Sequence, residues 1–338
     1  MELQPLKEAY MEYRFLGDTG VQVSALCMGT MTFGREADKQ TAASIFNRCR
    51  EGGINFFDCA DAYNKGVSEE MLGGFMAGCR DELIITSKVF GQMGPGINDR
   101  GLSRRHIVAA AEASLKRLQT DYIDFYFLHH PDKNTPHEES LQALDDLVRQ
   151  GKVLYTGVSN FAAWEVTKIQ GICQREGWSR IKCIQPMYNL VKRQAEVELL
   201  PMALSENIGV VCYNPIGGGL LSGKYISDPT GGSGRFDEDK MYQRRYGEPA
   251  MHDTAKRFYE FACDNGFHPV SLAVAWVARH PAVTAPIIGA RNAEQLGDSL
   301  NAMKISMTPE LYDRISGLAP KPPPADDRTE DPDTRKKK

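Results

Sequence analysis

The chain has 338 residues, with 40 Lys and Arg against 44 Asp and Glu and a formal net charge of −4 when histidine is neutral. That balance favours neither a nucleic acid nor an anionic membrane as partner, so any anion site must be local. No apolar run reaches the roughly 18 residues of a membrane span, and no basic segment followed by a hydrophobic one opens the chain, which predicts a cytoplasmic protein.

Tyr13 to Leu16, the turn Gly17-Asp18-Thr19-Gly20 and Val21 to Val23 read as a β-hairpin, a cap on the rest of the chain. An apolar run, a polar or glycine-bearing junction and an amphipathic helix then repeat. The predicted strands are 25–29, 54–57, 83–86, 123–128, 153–157, 181–184, 210–212 and 285–288. Predicted helices cover 39–51, 69–78, 104–118, 138–149, 163–175, 195–206 and 292–303, with Ser103 and Thr135 or Pro136 at helix starts. Strand–helix alternation implies a parallel α/β sheet, and eight units predict closure into a (β/α)8 TIM barrel. An open doubly wound sheet is the rival. It lacks support because Gly29-Thr30-Met31-Thr32-Phe33-Gly34 succeeds the first strand where GxGxxG is expected. Residues 13–318 are thus expected to form one barrel domain. Residues 319–338, rich in Pro, Asp and Lys, are expected to be a disordered tail with a solvated basic end.

The eight cysteines are scattered without a CxxC pair, as befits buried thiols in a reducing compartment. Cys59, beside Asp58, is the one candidate for a redox-sensitive thiol. His129, His130 and His137 lack metal-ligand spacing with a Cys or carboxylate, so no metal is expected. The Ala- and Leu-rich stretch 271–278 serves a core or a subunit contact, which leaves a homo-oligomer open.

The residues that end the predicted strands are Thr30, Asp58, Lys88, His129, Ser159 with Asn160, Gln185, Tyr213 with Asn214, and Gly289 with Arg291. In a barrel they share the C-terminal mouth, where barrel enzymes place their chemistry. Singly, each has a plain structural reading: Asp58 as a helix cap, Lys88 as a solvated strand end, Gln185 as a backbone partner. Together they form a ring of polar groups. Tyr63, five residues past Asp58, is a candidate proton donor whose pKa an ammonium at Lys88 would lower toward a working range. A lysine in a partly buried mouth tends to lose its proton, and Asp58 would hold the charge in place. His129 can donate to a substrate oxygen. No Ser or Cys is paired with a base, so the electrons must come from a hydride donor.

Ser159, Asn160 and Gln185 suit a carboxamide, and Tyr213 suits stacking on a flat heteroaromatic ring. Pro215-Ile216-Gly217-Gly218-Gly219-Leu220-Leu221-Ser222-Gly223-Lys224-Tyr225 combines glycines that let backbone approach phosphates with a lysine to neutralise them. Arg235, after the loop Thr230-Gly231-Gly232-Ser233-Gly234, is placed on a lid over the cofactor. Arg291 at a helix start suits a 2′-phosphate, hence NADPH/NADP+ rather than NAD.

With these residues in view the chain resembles the aldo-keto reductases. Asp58, Tyr63, Lys88, and His129 within Leu128-His129-His130-Pro131-Asp132 resemble that family's catalytic tetrad. Gly157-Val158-Ser159-Asn160, Gln185-Pro186-Met187-Tyr188-Asn189, residues 213–225 and Ile288-Gly289-Ala290-Arg291 are similar to its cofactor segments, in order, and the likeness runs from about Tyr13 to Leu318. Arg100-Gly101-Leu102-Ser103-Arg104-Arg105-His106 and Arg117-Leu118-Gln119-Thr120-Asp121-Tyr122-Ile123-Asp124 are most similar to the branch of potassium-channel β subunits and their bacterial relatives.

The resemblance implies NADPH-dependent reduction of an aldehyde or ketone, a sugar or glyceraldehyde-like carbonyl included. It implies a cofactor set of Thr30, Met31, Asp58, Ser159, Asn160, Gln185, Tyr213, Asn214, Pro215, Ile216, Gly217, Gly219, Lys224, Arg235, Gly289, Arg291, Gln295, Asp298 and Ser299. Asn214 stands where the family often has serine, and Asp298-Ser299 replaces the usual acidic–Asn pair near the adenine, which shifts that contact toward Gln295 and Asp298. The alternatives are an NADP(H)-occupied redox-sensing subunit and a sugar or alcohol dehydrogenase running oxidatively. His129 favours the enzyme, because the resembling channel subunits do not carry histidine there. Specificity is expected to lie in loops 33–37, 90–101 and 227–248.

Overall fold

The computed structural model describes residues 11–227 and 240–326. An antiparallel hairpin, β1 (Tyr13–Phe15) with β2 (Gln22–Ser24), precedes a closed barrel of parallel strands. These are β3 (Cys27–Gly29), β4 (Phe56–Asp58), β5 (Ile84–Val89), β6 (Ile123–Leu128), β7 (Val153–Ser159), β8 (Ile181–Gln185), β9 (Gly209–Cys212) and β10 (Ala285–Ile288). The sheet runs in chain order, and β10 closes it against β3. Around it lie α1 (Lys39–Glu51), α2 (Val67–Phe75), α3 (Arg104–Leu118), α4 (His137–Arg149), α5 (Ala163–Glu176) and α6 (Leu199–Ser205). Next come α7 (Lys224–Ser227), α8 (Lys240–Tyr246), α9 (Pro249–Asp264), α10 (Pro269–Arg279), α11 (Ala293–Leu300) and α12 (Pro309–Ser316).

The expected barrel, its hairpin and all eight strands are present. Three elements differ from expectation for local reasons. The helix expected at 195–206 divides into a 3-10 turn, Gln194–Glu196, and α6, because Pro201 in the first turn of α6 has no N–H and its ring excludes a helical carbonyl four residues back. The helix expected from residue 69 starts at Val67, since Gly66 takes φ 93° and turns the chain out of the preceding 3-10 turn. The last predicted helix is capped by Asn292, whose Oδ1 accepts from the Gln295 amide at 2.9 Å, and after Leu300 it tightens into a 3-10 turn. Residues 320–326 carry no helix or strand, and 327–338 lie outside the described residues. Among the described residues no helix is long and apolar enough to cross a membrane.

Strand periodicity divides the core in two. Cys27, Phe56, Phe125, Phe127, Cys183, Val211, Ala285 and Ile287 fill the barrel interior, with Leu16 of the hairpin plugging one end. Phe57, Tyr126, Leu128 and Ile184 face outward onto the helices. The same alternation carries Asp58, two residues beyond Phe56, inward at the end of β4. A Cβ at Gly157 would stand 2.5 Å from the Phe127 ring. Gly157→Ala should therefore lower unfolding stability by about 1–3 kcal/mol through overpacking, as read by urea denaturation.

One buried acid lies outside this apolar scheme. Asp61 is fully buried and, among the described residues, neither of its carboxylate oxygens has a hydrogen-bond partner, nor does the Tyr126 hydroxyl. Burial, then the Glu69 carboxylate, push Asp61 up to about 7. The folded chain then holds a proton that the unfolded chain releases above 3.8. The associated stability is present at acid pH and is lost as pH rises through about 7. Asp61→Asn should thus stabilise the protein by roughly 1–4 kcal/mol above neutrality and by little near pH ~4, in paired urea melts.

Candidate active site

At the C-terminal mouth, Asp58 and Lys88 form an ion pair at 2.7 Å, with the lysine fully buried and the aspartate nearly so. Register brings them together: Asp58 lies opposite Thr86 in the β4–β5 ladder, and Lys88 is the next inward residue on β5. Asp58 Oδ1 also accepts from Thr86 Oγ1 at 2.7 Å and from Gln185 Nε2 at 2.8 Å. Lys88 Nζ donates to the Cys59 carbonyl at 2.7 Å and to the Tyr63 hydroxyl at 3.3 Å. Burial opposes the lysine's charge, but Asp58 and the phenol outweigh it and hold Lys88 above the ordinary lysine value. The expectation of a partly buried lysine prone to lose its proton is thereby corrected.

Tyr63 stands on the 3-10 turn Tyr63–Gly66, where Asn64 and Lys65 adopt left-handed φ of 48° and 53° and the Asn64 side chain ties back to the Gly34 carbonyl. Burial pushes its phenol up to about 12, and Lys88 limits the rise. The expected net lowering does not occur, since loss of solvent outweighs the ammonium. Tyr63 therefore carries its proton at neutral pH. His129 lies edge-on to Tyr63 with ring centroids 6.1 Å apart, and burial followed by the Lys88 charge keeps its imidazole neutral. The Cys59 thiol is fully buried and pushed up to about 12, which removes it as a reactive thiolate.

A second set of hydrogen bonds fixes the neighbouring strand ends. Ser159 Oγ donates to the Gln185 carbonyl at 2.9 Å, and Asn160 Nδ2 donates to the His129 carbonyl at 2.9 Å. The Tyr213 hydroxyl donates to Asn160 Oδ1 at 2.7 Å. Asn160 and Asn214 both take left-handed φ, 63° and 58°, where asparagine is the best tolerated residue after glycine.

These groups open onto a cavity of about 490 Å³. Asp58, Tyr63 and His129 line it, while Lys88 lies behind them. Of the expected cofactor set, Met31, Ser159, Asn160, Gln185, Tyr213, Asn214, Pro215, Ile216, Gly219, Lys224, Gly289, Arg291, Gln295, Asp298 and Ser299 also line it. Thr30 and Gly217 do not. Thr30 is buried, and its hydroxyl donates to the Asp58 carbonyl at 3.0 Å. Arg235 and the glycine loop before it lie outside the described residues. His130, Met241, Tyr242 and Arg245 line the cavity as well, although the sequence does not single them out as site residues. The last three sit in the predicted specificity loop 227–248, and no motif marks them individually.

Gly217, Gly218 and Gly219 take φ of 60°, 66° and 99°, and a Cβ at Gly218 would stand 2.6 Å from the Tyr242 ring. The glycines thus serve both the turn and the docking of α8. Among the described residues no cluster of His, Cys, Asp or Glu could hold a metal ion.

The model of the aldo/keto reductase family matches residues 25–320. An uncharacterised oxidoreductase, YrpG, of Bacillus subtilis (strain 168) is 38% identical over 323 residues, covering 92% of this chain and 97% of that protein. A probable voltage-gated potassium channel subunit beta of Arabidopsis thaliana is 35% identical over 315 residues, covering 90% and 95%. Versiconal hemiacetal acetate reductase of Aspergillus parasiticus is 30% identical over 326 residues, covering 89% and 94%. The closed eight-stranded barrel agrees with those matches, and the chain is an oxidoreductase of the aldo/keto reductase family.

Proposed function

We propose that the chain is an NADPH-dependent carbonyl reductase that converts an aldehyde or ketone to the alcohol. The observation that carries this reading is the contact of Lys88 Nζ with the Tyr63 hydroxyl at 3.3 Å, on a lysine whose charge is locked by Asp58. The cavity suits a dinucleotide: its lining includes both Tyr63 and Arg291, it passes Gly218 and Gly219, and Lys224 meets no carboxylate among the described residues. Bound there, NADPH supplies the hydride that the protein's own side chains lack.

Ser159, Asn160 and Gln185 orient the carboxamide, and Tyr213 offers its ring face. Asn214, Pro215, Ile216, Gly219, Lys224 and Arg235 serve the pyrophosphate side. Arg291, at the N-terminus of α11, takes the 2′-phosphate, with Gln295, Asp298 and Ser299 toward the adenine. The neutral His129 donates a hydrogen bond to the substrate carbonyl. Tyr63 would give its proton to that oxygen as the carbonyl carbon is reduced, and Lys88 would stabilise the phenolate left behind until solvent returned a proton. In the reverse direction the same phenolate accepts the proton, so this set also serves a sugar or alcohol dehydrogenase, and cellular cofactor ratios decide the direction.

The channel-subunit name of the plant relative motivates a second reading, a cofactor-bearing subunit that reports redox state to a partner. NADPH consumption against aromatic aldehydes, dicarbonyls and sugars separates the two. Turnover supports the reductase, whereas tight NADPH binding with no turnover on any carbonyl supports the subunit. Tyr63→Phe should lower kcat by about 100- to 10,000-fold while the NADPH dissociation constant stays within a few-fold. Retained turnover would refute the proton-donor assignment. Arg291→Met should weaken NADPH by roughly ten- to a hundredfold and leave NADH nearly unchanged, as titrated by cofactor fluorescence.

A further inference from the structure

The cavity wall contains a cation that the proton-donor machinery does not use. Tyr242 and Tyr246 are buried and dock α8 onto the mouth, and Asn189 Nδ2 donates to the Tyr246 hydroxyl at 3.2 Å. Arg245, three residues after Tyr242, falls on the same inner face of the helix. It lines the cavity half-buried, with its guanidinium 5.9 Å from the ring centroids of both Tyr213 and Tyr242. Among the described residues it has neither a hydrogen bond nor a carboxylate partner.

That state separates Arg245 from five other half-buried arginines. Arg14, Arg50, Arg80, Arg117 and Arg193, half-buried as well, each close on a carboxylate. Withdrawing a guanidinium from water without an anion is unfavourable, so a half-buried arginine facing a cavity is completed when an anion enters. The cavity's own acids are committed elsewhere: Asp58 to Lys88, and Asp298 to α11 near His268, at 3.8 Å.

A line of rings runs from the proton donor to His130, which lines the same cavity as this cation. Tyr63 meets His129 edge-on at 6.1 Å, His129 stacks on His130 at 5.0 Å, and the Arg245 charge acts on His130. We propose that Arg245 is the anion-binding group of the substrate pocket, and that the natural carbonyl substrate carries a carboxylate or phosphate several bonds from its carbonyl. The inference rests on the reductase reading. It adds that a substrate held at two points, its oxygen by Tyr63 and His129 and its anion by the Arg245 fork, has its carbonyl aimed before reaction.

The test compares 4-formylbenzoate and 4-formylphenyl phosphate with the neutral methyl 4-formylbenzoate. In the unaltered enzyme kcat/KM for at least one charged aldehyde should exceed that of the ester by about ten- to a hundredfold. The more favoured of the two identifies the anion as carboxylate or phosphate. R245M should collapse the ratio toward one, chiefly through KM, and R245K should restore part of it. Equal efficiencies in the unaltered enzyme, or a ratio that R245M leaves standing, would overturn the proposal. So would a ratio unchanged in R245M alongside weakened NADPH binding, which would assign Arg245 to the cofactor.

If no aldehyde is reduced, the reductase reading fails by itself, and thermal denaturation with 4-(hydroxymethyl)benzoate and 4-formylphenyl phosphate still decides the anion site. Stabilisation by either anion in the unaltered chain but not in R245M supports the site, and no difference between the two proteins rejects it.

Discussion

The buried ion pair between Lys88 and Asp58 is the constraint on which the mouth of the barrel depends. Removing two charges from water costs several kcal/mol per ion, and their mutual attraction offsets this only when every remaining lone pair and proton is also engaged. Here they are. Thr86 and Gln185 occupy one carboxylate oxygen, the lysine holds the other, and its remaining protons go to the Cys59 carbonyl and the Tyr63 hydroxyl. The strands β4, β5 and β8 and the turn after β4 therefore converge on one pair of charges. Displacing any of them would strand a charge in a largely buried site.

From that pair the electrostatics of the cavity follow. The ammonium is fixed as a positive charge, the phenol beside it keeps its proton, and the imidazole next along stays neutral. Burial dominates in the two neutral groups, and the ammonium acts on a background that burial has already set. On the proposed reading, the proton for an alkoxide is held on Tyr63 and Lys88 stabilises the phenolate it leaves, while the guanidinium of Arg245 supplies a separate positive charge on the cavity wall. A neutral donor near the reacting centre and a cation farther out make a site that can both react with and select its substrate.

Much of this is legible in the residues. Eight apolar runs alternating with amphipathic segments are sufficient for a parallel sheet, and the polar residue ending each run marks the mouth, because strand periodicity is local and strong. Asp58, Lys88 and His129 stand out for that reason. Where helix boundaries depart from amphipathic spacing, the chain still carries the signal: Pro201 breaks a helix that amphipathicity alone would continue, and Gly66 restarts one early. Tyr242 and Arg245 carry no such mark, since α8 is placed by the docking of two tyrosines on a glycine turn more than twenty residues earlier in the chain.

The sequence by itself determined the barrel, the order of its strands, and the polar residues that gather where those strands end. These arise from period-two burial and from the composition of strand ends, both properties of neighbours in the chain. Only the tertiary structure decided the protonation states and the partners. The rise of the Tyr63 pKa, the full burial of Lys88, the loss of Cys59 as a reactive thiol and the lack of a carboxylate for Arg245 among the described residues each depend on how much water the surrounding elements exclude. They depend equally on which distant charges are brought within reach. Solvation and through-space electrostatics are set by the closed fold, and no stretch of sequence carries them alone.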